Sequence, residues 1–352
     1  IILHLIHKTT REDSLVLSKM KRSLLPIMST CLLRTGTSLP LSITSPDVTV
    51  TRSYTLHGDG IGIADSTSSC ILNEVRPPPR DPTIEEDDVE LYYPTTRRAF
   101  AFPDHHRHSN KLLDIRQTSF GCGRLGATVW PSAIALSCLL ASDDTTEHLI
   151  EGKRIVELGS GCGLPSLVAK EVCDATNILA TDYWEENPDG QLSFGTTGGD
   201  RLVPKDLFGV NLAYNIGADE TAASVRHLDW HDEMGIFKVA TDFRPDLIIG
   251  SDLVYYPEDT PPLLRTLEML LKAGGAKDAL LISPLRPAYS ERKALPEFRS
   301  QLEKGALGDR CEVIMDKFEM VGMGMNGDEE RHDFLRIRVH TNGDGEICTN
   351  DS

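Results

Sequence analysis

The sequence predicts an α/β fold: a doubly wound, seven-stranded sheet, mostly parallel, ending in a C-terminal antiparallel hairpin. Three observations lead there. From Leu112 to Pro284 short apolar runs alternate with helix-spaced segments. The first run enters a glycine cluster, "ELGSGCG", directly ahead of a helix pattern. The last two strand-like runs have no helix between them.

In chain order, "WPSAIALSCLLAS" (130–142) reads as a helix. "RIVELG", "NILATD", "SVRHLD", "DLIIGSD" and "DALLISP" are runs of the kind that parallel strands buried on both faces show. The helical segments "LPSLVAKEV", "PKDLFGVNLAYNI" and "TPPLLRTLEMLLKA" separate most of them. "GTTGGD" (195–200) is read as a flexible surface insertion. After the helix-like "ERKALPEFRSQLEKGA" come "CEVIMDKF" and "DFLRIRVH", joined by the Gly-rich, polar "EMVGMGMNGDEERH". Ahead of Leu112, residues 53–91 offer a strand or two and then a loop, since Gly, Pro and acidic clusters divide their apolar stretches.

Composition narrows the function. With 352 residues, 40% apolar and 25% charged, the chain can bury a sizeable core, and no window approaches eighteen uninterrupted apolar residues, so no membrane span is expected. A net charge of −17 without a Lys/Arg-rich stripe argues against nucleic acid and for a basic protein partner. The eight cysteines form no C-x-x-C pair, which fits a reducing, cytoplasmic compartment. Residues 1–53 differ, with seven Lys/Arg against three Asp/Glu and no initiator methionine. They read as a disordered or over-extended leader, or, from "MKRSLLPIMSTCLL", as a targeting peptide. His105, His106 and His108 beside Asp104 lack partner ligands at a recognisable spacing and are read as a solvated loop, so no metal is expected.

Gly159, Gly161 and Gly163 follow a strand and precede a helix, where glycine lets a ligand approach the main chain at the carboxyl edge of the sheet. A dinucleotide fingerprint would place a further glycine where Leu164 stands. Glu157, two residues ahead of the cluster, is acidic, and a carboxylate there would repel a pyrophosphate. A sulfonium and ammonium ligand, S-adenosylmethionine, suits the spacing and the sign better; a tight turn holding nothing is the alternative. Asp182 closes the second strand, where an acid can accept from two ribose hydroxyls. Trp130 and Trp230 could flank an adenine or serve the core.

Together "GATVWPSAIALS", "IVELGSGCGLPSL", "ATDYW", "HLDW" and "DLIIGSDLVYY" resemble, in order and spacing, the seven-β-strand protein-lysine methyltransferases with a D-x-x-Y motif after strand four. The resemblance covers Gln117 to Val339. It implies a Rossmann-like class I methyltransferase domain over 112–342, preceded by an extension (53–111) and a leader (1–52) and followed by a disordered tail (343–352). It implies that Trp130, Gly159, Ser160, Gly161, Gly163, Asp182, Trp230 and Ser251 line an S-adenosylmethionine pocket, with Glu157 beneath the methionine end. Asp252 and Tyr255 match the D-x-x-Y positions where the target amine enters. Asp252 would orient that amine and stabilise charge, unless it only caps the next helix.

The implied activity is methyl transfer to a lysine side chain of a translation-related or chaperone protein by a monomer, without metal or covalent intermediate. "SPLRP" and "YN" (Tyr214, Asn215) resemble instead the branch that modifies the N-terminal region of an elongation factor, so the substrate stays open. An N-terminal or small-molecule N-methyltransferase, a non-catalytic interaction module and a NAD-binding oxidoreductase are the competing readings.

Overall fold

Among the described residues, backbone hydrogen bonds join eleven strands into one sheet. The computed structural model describes residues 49–58, 72–80, 95–102, 111–118, 125–142, 149–184, 194–196, 202–204, 207–217, 222–285 and 294–342, all within one compact unit, Leu39–Ser352. Four antiparallel strands come first: β1 (Val50–His57), β2 (Leu72–Val75), β3 (Thr95–Ala101) and β4 (Leu112–Thr118). Helix α1 (Pro131–Leu140) leads into an alternation of β5 (Arg154–Leu158), α2 (Leu164–Glu171) and β6 (Asn177–Asp182). A separate ribbon of β7 (Phe194–Thr196) and β8 (Leu202–Pro204) is followed by α3 (Leu207–Ile216), β9 (Ala223–His227) and α4 (Glu233–Lys238). Then come β10 (Leu247–Ser251), α5 (Thr260–Lys272), β11 (Asp278–Pro284), α6 (Ala294–Glu303) and the long hairpin of β12 (Cys311–Gly324) and β13 (Glu329–Thr341).

Across the sheet the order is β4-β3-β2-β1-β12-β13-β11-β10-β5-β6-β9. Strands β11, β10, β5, β6 and β9 are parallel, and β13 and β12 complete the expected seven as an antiparallel hairpin. Alternating side chains supply both faces. Leu247, Ile249, Leu280 and Ile282 pack with α1, α2 and α3, whereas Ile248, Ala279 and Leu281 pack with α4, α5 and α6. Burial on both faces is why these strands are near-continuous apolar runs.

The expected seven strands are present, and four further strands extend the sheet where a strand or two was expected. The N-terminal strands join the same sheet because β1 pairs antiparallel with β12, Ser53 opposite Met323 and His57 opposite Glu319. Their partner is almost the whole chain away, so no local pattern announces it. The Gly-rich connector is likewise strand down to a four-residue turn, Met325–Asp328. Gly322 makes this possible: a Cβ there would stand 3.0 Å from the ring of Tyr54 on β1. Residues 195–200, read as a plain insertion, overlap the β7–β8 ribbon.

Among the described residues no helix is long and apolar enough to cross a membrane. The leader 1–48, the histidine cluster 105–108, Arg286 of "SPLRP" and the tail 343–352 lie outside the described residues.

Candidate active site

The chain builds β5, β6 and β9 toward one side of the sheet and β10 and β11 toward the other. The carboxyl ends of β5 and β10 therefore form a topological switch point, where open α/β sheets hold ligands. A cavity of about 620 Å³ opens there, within the ~300–1,000 Å³ of small-molecule sites.

Its floor is the glycine turn. Gly159 has φ +59°, and a Cβ on it would lie 2.6 Å from Leu253 Cδ2, so a larger residue is strained in its backbone and must displace that side chain. Gly161 and Gly163 also have positive φ. Asp182, at the end of β6, faces this turn: its Oδ2 accepts from the Gly161 N–H at 2.6 Å and its Oδ1 from the Tyr183 N–H at 2.7 Å. Burial raises its carboxyl above the usual range, although these two amides pull it down.

Glu157 lies behind the floor and does not line the cavity. Its Oε2 accepts from the Ser166 N–H at 3.1 Å and the Ser166 hydroxyl at 2.5 Å, so it caps α2, whose N-cap residue Gly163 has no side chain to do so. Burial pushes the Glu157 carboxyl up to about 8, which leaves it largely neutral at pH 7. The expected electrostatic repulsion of a pyrophosphate by Glu157 is thus corrected. What opposes a pyrophosphate is the state of the amides: Pro165 has none, and those of Gly161, Gly163 and Ser166 are bonded to Asp182, the Ser160 carbonyl and Glu157.

The opposite walls come from Thr128–Trp130 and from the segment after β10, Ser251 to Tyr256. Asp252 adopts φ +57°, a left-handed conformation uncommon for a residue with a side chain, and its N–H donates to the Ile282 carbonyl at 2.8 Å. The next helical turn starts only at Pro257, so Asp252 caps no helix. Burial raises its carboxyl above the usual range, opposed by the hydroxyls of Tyr255 and Ser132.

Ten of the eleven expected positions converge here: Trp130, Gly159, Ser160, Gly161, Gly163, Asp182, Trp230, Ser251, Asp252 and Tyr255. Both tryptophans are half-buried, so each packs on the protein and still faces the cavity. Sequence reasoning missed Asp229 and Asp259, which stand beside quoted motifs: one in "HLDW" next to Trp230, the other four residues beyond Tyr255. With Asp182 and Asp252 they give the cavity four aspartates and, among the described residues, no lysine or arginine. Among the described residues no group of three or more His, Cys, Asp or Glu could hold a metal ion.

A family model described as lysine methyltransferase matches residues 107–189 and 200–295, just over half of the chain. The chain belongs to the lysine methyltransferase family. It is 30% identical over 224 residues to a protein N-terminal and lysine N-methyltransferase of Candida albicans, covering 61% of this chain and 76% of that one. A protein of the same description from Yarrowia lipolytica is 29% identical over 154 residues, 43% of this chain and 54% of its own length. A protein N-lysine methyltransferase of Danio rerio is 30% identical over 171 residues, 48% and 66%. This lysine methyltransferase family member thus spans about half of the Yarrowia relative.

S-adenosylmethionine is the cofactor that family and fold imply, and the cavity fits it. The glycine floor admits a ligand against the main chain, and the aspartate lining suits a cationic one.

Proposed function

We propose that the chain is an S-adenosylmethionine-dependent protein N-methyltransferase whose acceptor is a lysine side chain of a basic protein. The observation that carries this is one cavity lined by the glycine turn, Asp182, Asp252 and Tyr255, with four aspartates and, among its described residues, no lysine or arginine.

In this reading Gly159, Ser160, Gly161 and Gly163 cradle the cofactor. Asp182 accepts from its ribose, and Trp130, Trp230 and Ser251 complete the walls. When bound, S-adenosylmethionine supplies an electrophilic methyl group beside a positive charge. A lysine amine with a pKa of ~10.4 is neutral in only about one molecule in 2,500 at pH 7, a handicap of roughly 4.6 kcal/mol. Burial in the cavity and the neighbouring cation both favour the neutral amine. Asp252 orients that amine and stabilises the cation that forms as the nitrogen–carbon bond is made and the carbon–sulfur bond breaks. Tyr255 supports the carboxylate with its hydroxyl. The lysine ammonium sheds its own proton to solvent, and the leaving group is the neutral thioether S-adenosylhomocysteine. The relatives described as N-terminal as well as lysine methyltransferases favour a second acceptor, a chain-terminal amine, which the same acidic lining would draw in.

The test is calorimetric binding of S-adenosylmethionine and S-adenosylhomocysteine to the full chain, with NAD as control. A tritiated-methyl screen of cell lysate with wild type and Asp252→Ala follows, and mass spectrometry locates the label. Micromolar binding of the first two and label on lysine, lost in Asp252→Ala, is expected. A folded protein that binds neither overturns the proposal, and label on chain termini alone moves it to the second acceptor.

A further inference from the structure

We infer that Gln117 and Arg98, both on the N-terminal strands, are positioning residues for the cavity wall Thr128–Trp130. The inference rests on the cofactor reading above. That wall lies between a 3-10 turn, Leu125–Ala127, and the start of α1, and belongs to no strand. The Trp130 carbonyl accepts from the N–H groups of Ala133 and Ile134 on α1, whereas the N–H and carbonyl of Val129 have no ladder partner and are bonded by side chains. Strands β3 and β4 supply them. The Gln117 Oε1 accepts from the Val129 N–H at 3.0 Å and from the Thr128 hydroxyl at 3.1 Å, while its amide nitrogen donates to Thr96 Oγ1 at 3.3 Å. Arg98 Nη1 donates to the Val129 carbonyl at 3.2 Å. One residue, Val129, is thus held at its N–H by β4 and at its carbonyl by the adjacent β3.

The grip on Arg98 is itself rigid. Its Nε and Nη2 form a two-pronged pair with the Glu74 carboxylate on β2, each at 2.7 Å, and Nη2 reaches the Tyr54 hydroxyl on β1 at 3.3 Å. The Tyr54 hydroxyl in turn donates to Glu74 Oε2 at 3.1 Å. A guanidinium has five donors in a fixed fork, so holding Glu74 leaves one prong aimed at Val129, a division a lysine cannot make. Thr118 adds a weaker tie, its hydroxyl to the Ala127 carbonyl at 3.4 Å. The four extra strands therefore complete the cavity as well as the sheet, because Thr128, Val129 and Trp130 all face it.

The experiment compares full-length wild type, Gln117→Leu, Gln117→Glu and Arg98→Lys by amide hydrogen exchange at Val129 without ligand, by S-adenosylhomocysteine binding and by thermal unfolding. Gln117→Leu is expected to speed Val129 exchange and weaken binding, each about tenfold, with the melting temperature nearly unchanged. Gln117→Glu keeps the acceptor oxygen and restores both to within about twofold. Unchanged exchange and affinity in Gln117→Leu, or a Gln117→Glu as impaired as the leucine variant, overturns the inference. Should Gln117→Leu fail to fold, Arg98→Lys decides by the same two readouts. If wild type binds no S-adenosylhomocysteine, the proposed function falls, whereas exchange at Val129 still decides whether these residues hold the wall.

Discussion

The carboxyl of Glu157, buried at the end of β5, caps α2 by accepting both the N–H and the hydroxyl of Ser166. Its ordinary value is 4.5 and burial in the fold pushes it to about 8. Between those values the unfolded chain has lost the proton while the native chain keeps it, so the unfolded state binds fewer protons. Stability then falls as pH rises through this window and levels off above it. Glu157→Gln retains an acceptor for Ser166 and cannot ionise. We expect the two proteins to match near pH 5 and the glutamine variant to be more stable at pH 8.5, by on the order of a few kcal/mol. Parallel melting-temperature curves across pH 5–9 would refute the assignment.

Asn215 on α3 ties the edge strand to the cofactor turn. Its Nδ2 donates to the carbonyls of Arg116 (2.8 Å) and Cys162 (2.9 Å), and its Oδ1 accepts from the Arg116 N–H at 2.8 Å. Asn211 works beside it, accepting from Arg116 Nε at 2.7 Å and donating to the Arg116 carbonyl at 3.0 Å. Among the described strands β4 is an edge of the sheet, and these two side chains bond its backbone there. Asn215→Leu removes three hydrogen bonds to buried backbone groups and should cost about 2–4 kcal/mol. Urea unfolding measures it, and a loss below about 1 kcal/mol would mean that water or repacking satisfies the site.

At Gly159 a methyl group would meet Leu253 Cδ2 at 2.6 Å in a left-handed conformation that alanine resists. Gly159→Ala should therefore destabilise the fold by about 1–3 kcal/mol and push the turn into the space a ligand needs. Chemical denaturation together with S-adenosylhomocysteine titration checks both. A variant that is less stable yet binds normally would show that the turn does not touch the cofactor.

How much of this was legible in the sequence follows from what each feature depends on. The five parallel strands and the hairpin could be read because burial on both faces writes continuous apolar runs, and the glycine turn because its positive φ values favour glycine. The N-terminal strands were only partly legible: β1 is stabilised by β12, some 270 residues away, and Gly322 looked like loop because its role is to make room for Tyr54. Positions at the cavity emerged from motif spacing. Arg98 and Gln117 did not, since their meaning lies in reaching one residue, Val129, from two different strands. The charge state of Glu157 was misjudged because a sequence does not display desolvation.

Asp252 supplies the sharpest test of the chemistry. Its carboxyl is held above the usual range by burial, with the hydroxyls of Tyr255 and Ser132 working against that shift. If the ionised form orients the amine, the rate must rise with pH as this carboxyl loses its proton, in addition to the rise that the acceptor lysine causes at higher pH. Asp252→Asn keeps the size and much of the hydrogen bonding but removes the charge. It should lower kcat on the order of a hundredfold and leave S-adenosylhomocysteine affinity within about threefold, since the lost interaction acts on the acceptor. The acid limb of the pH–rate profile should vanish with it while the alkaline rise remains. Initial rates from pH 5 to 9 on one methyl acceptor decide the matter. An acid limb that persists unchanged in Asp252→Asn assigns that titration to another group and removes Asp252 from the reaction.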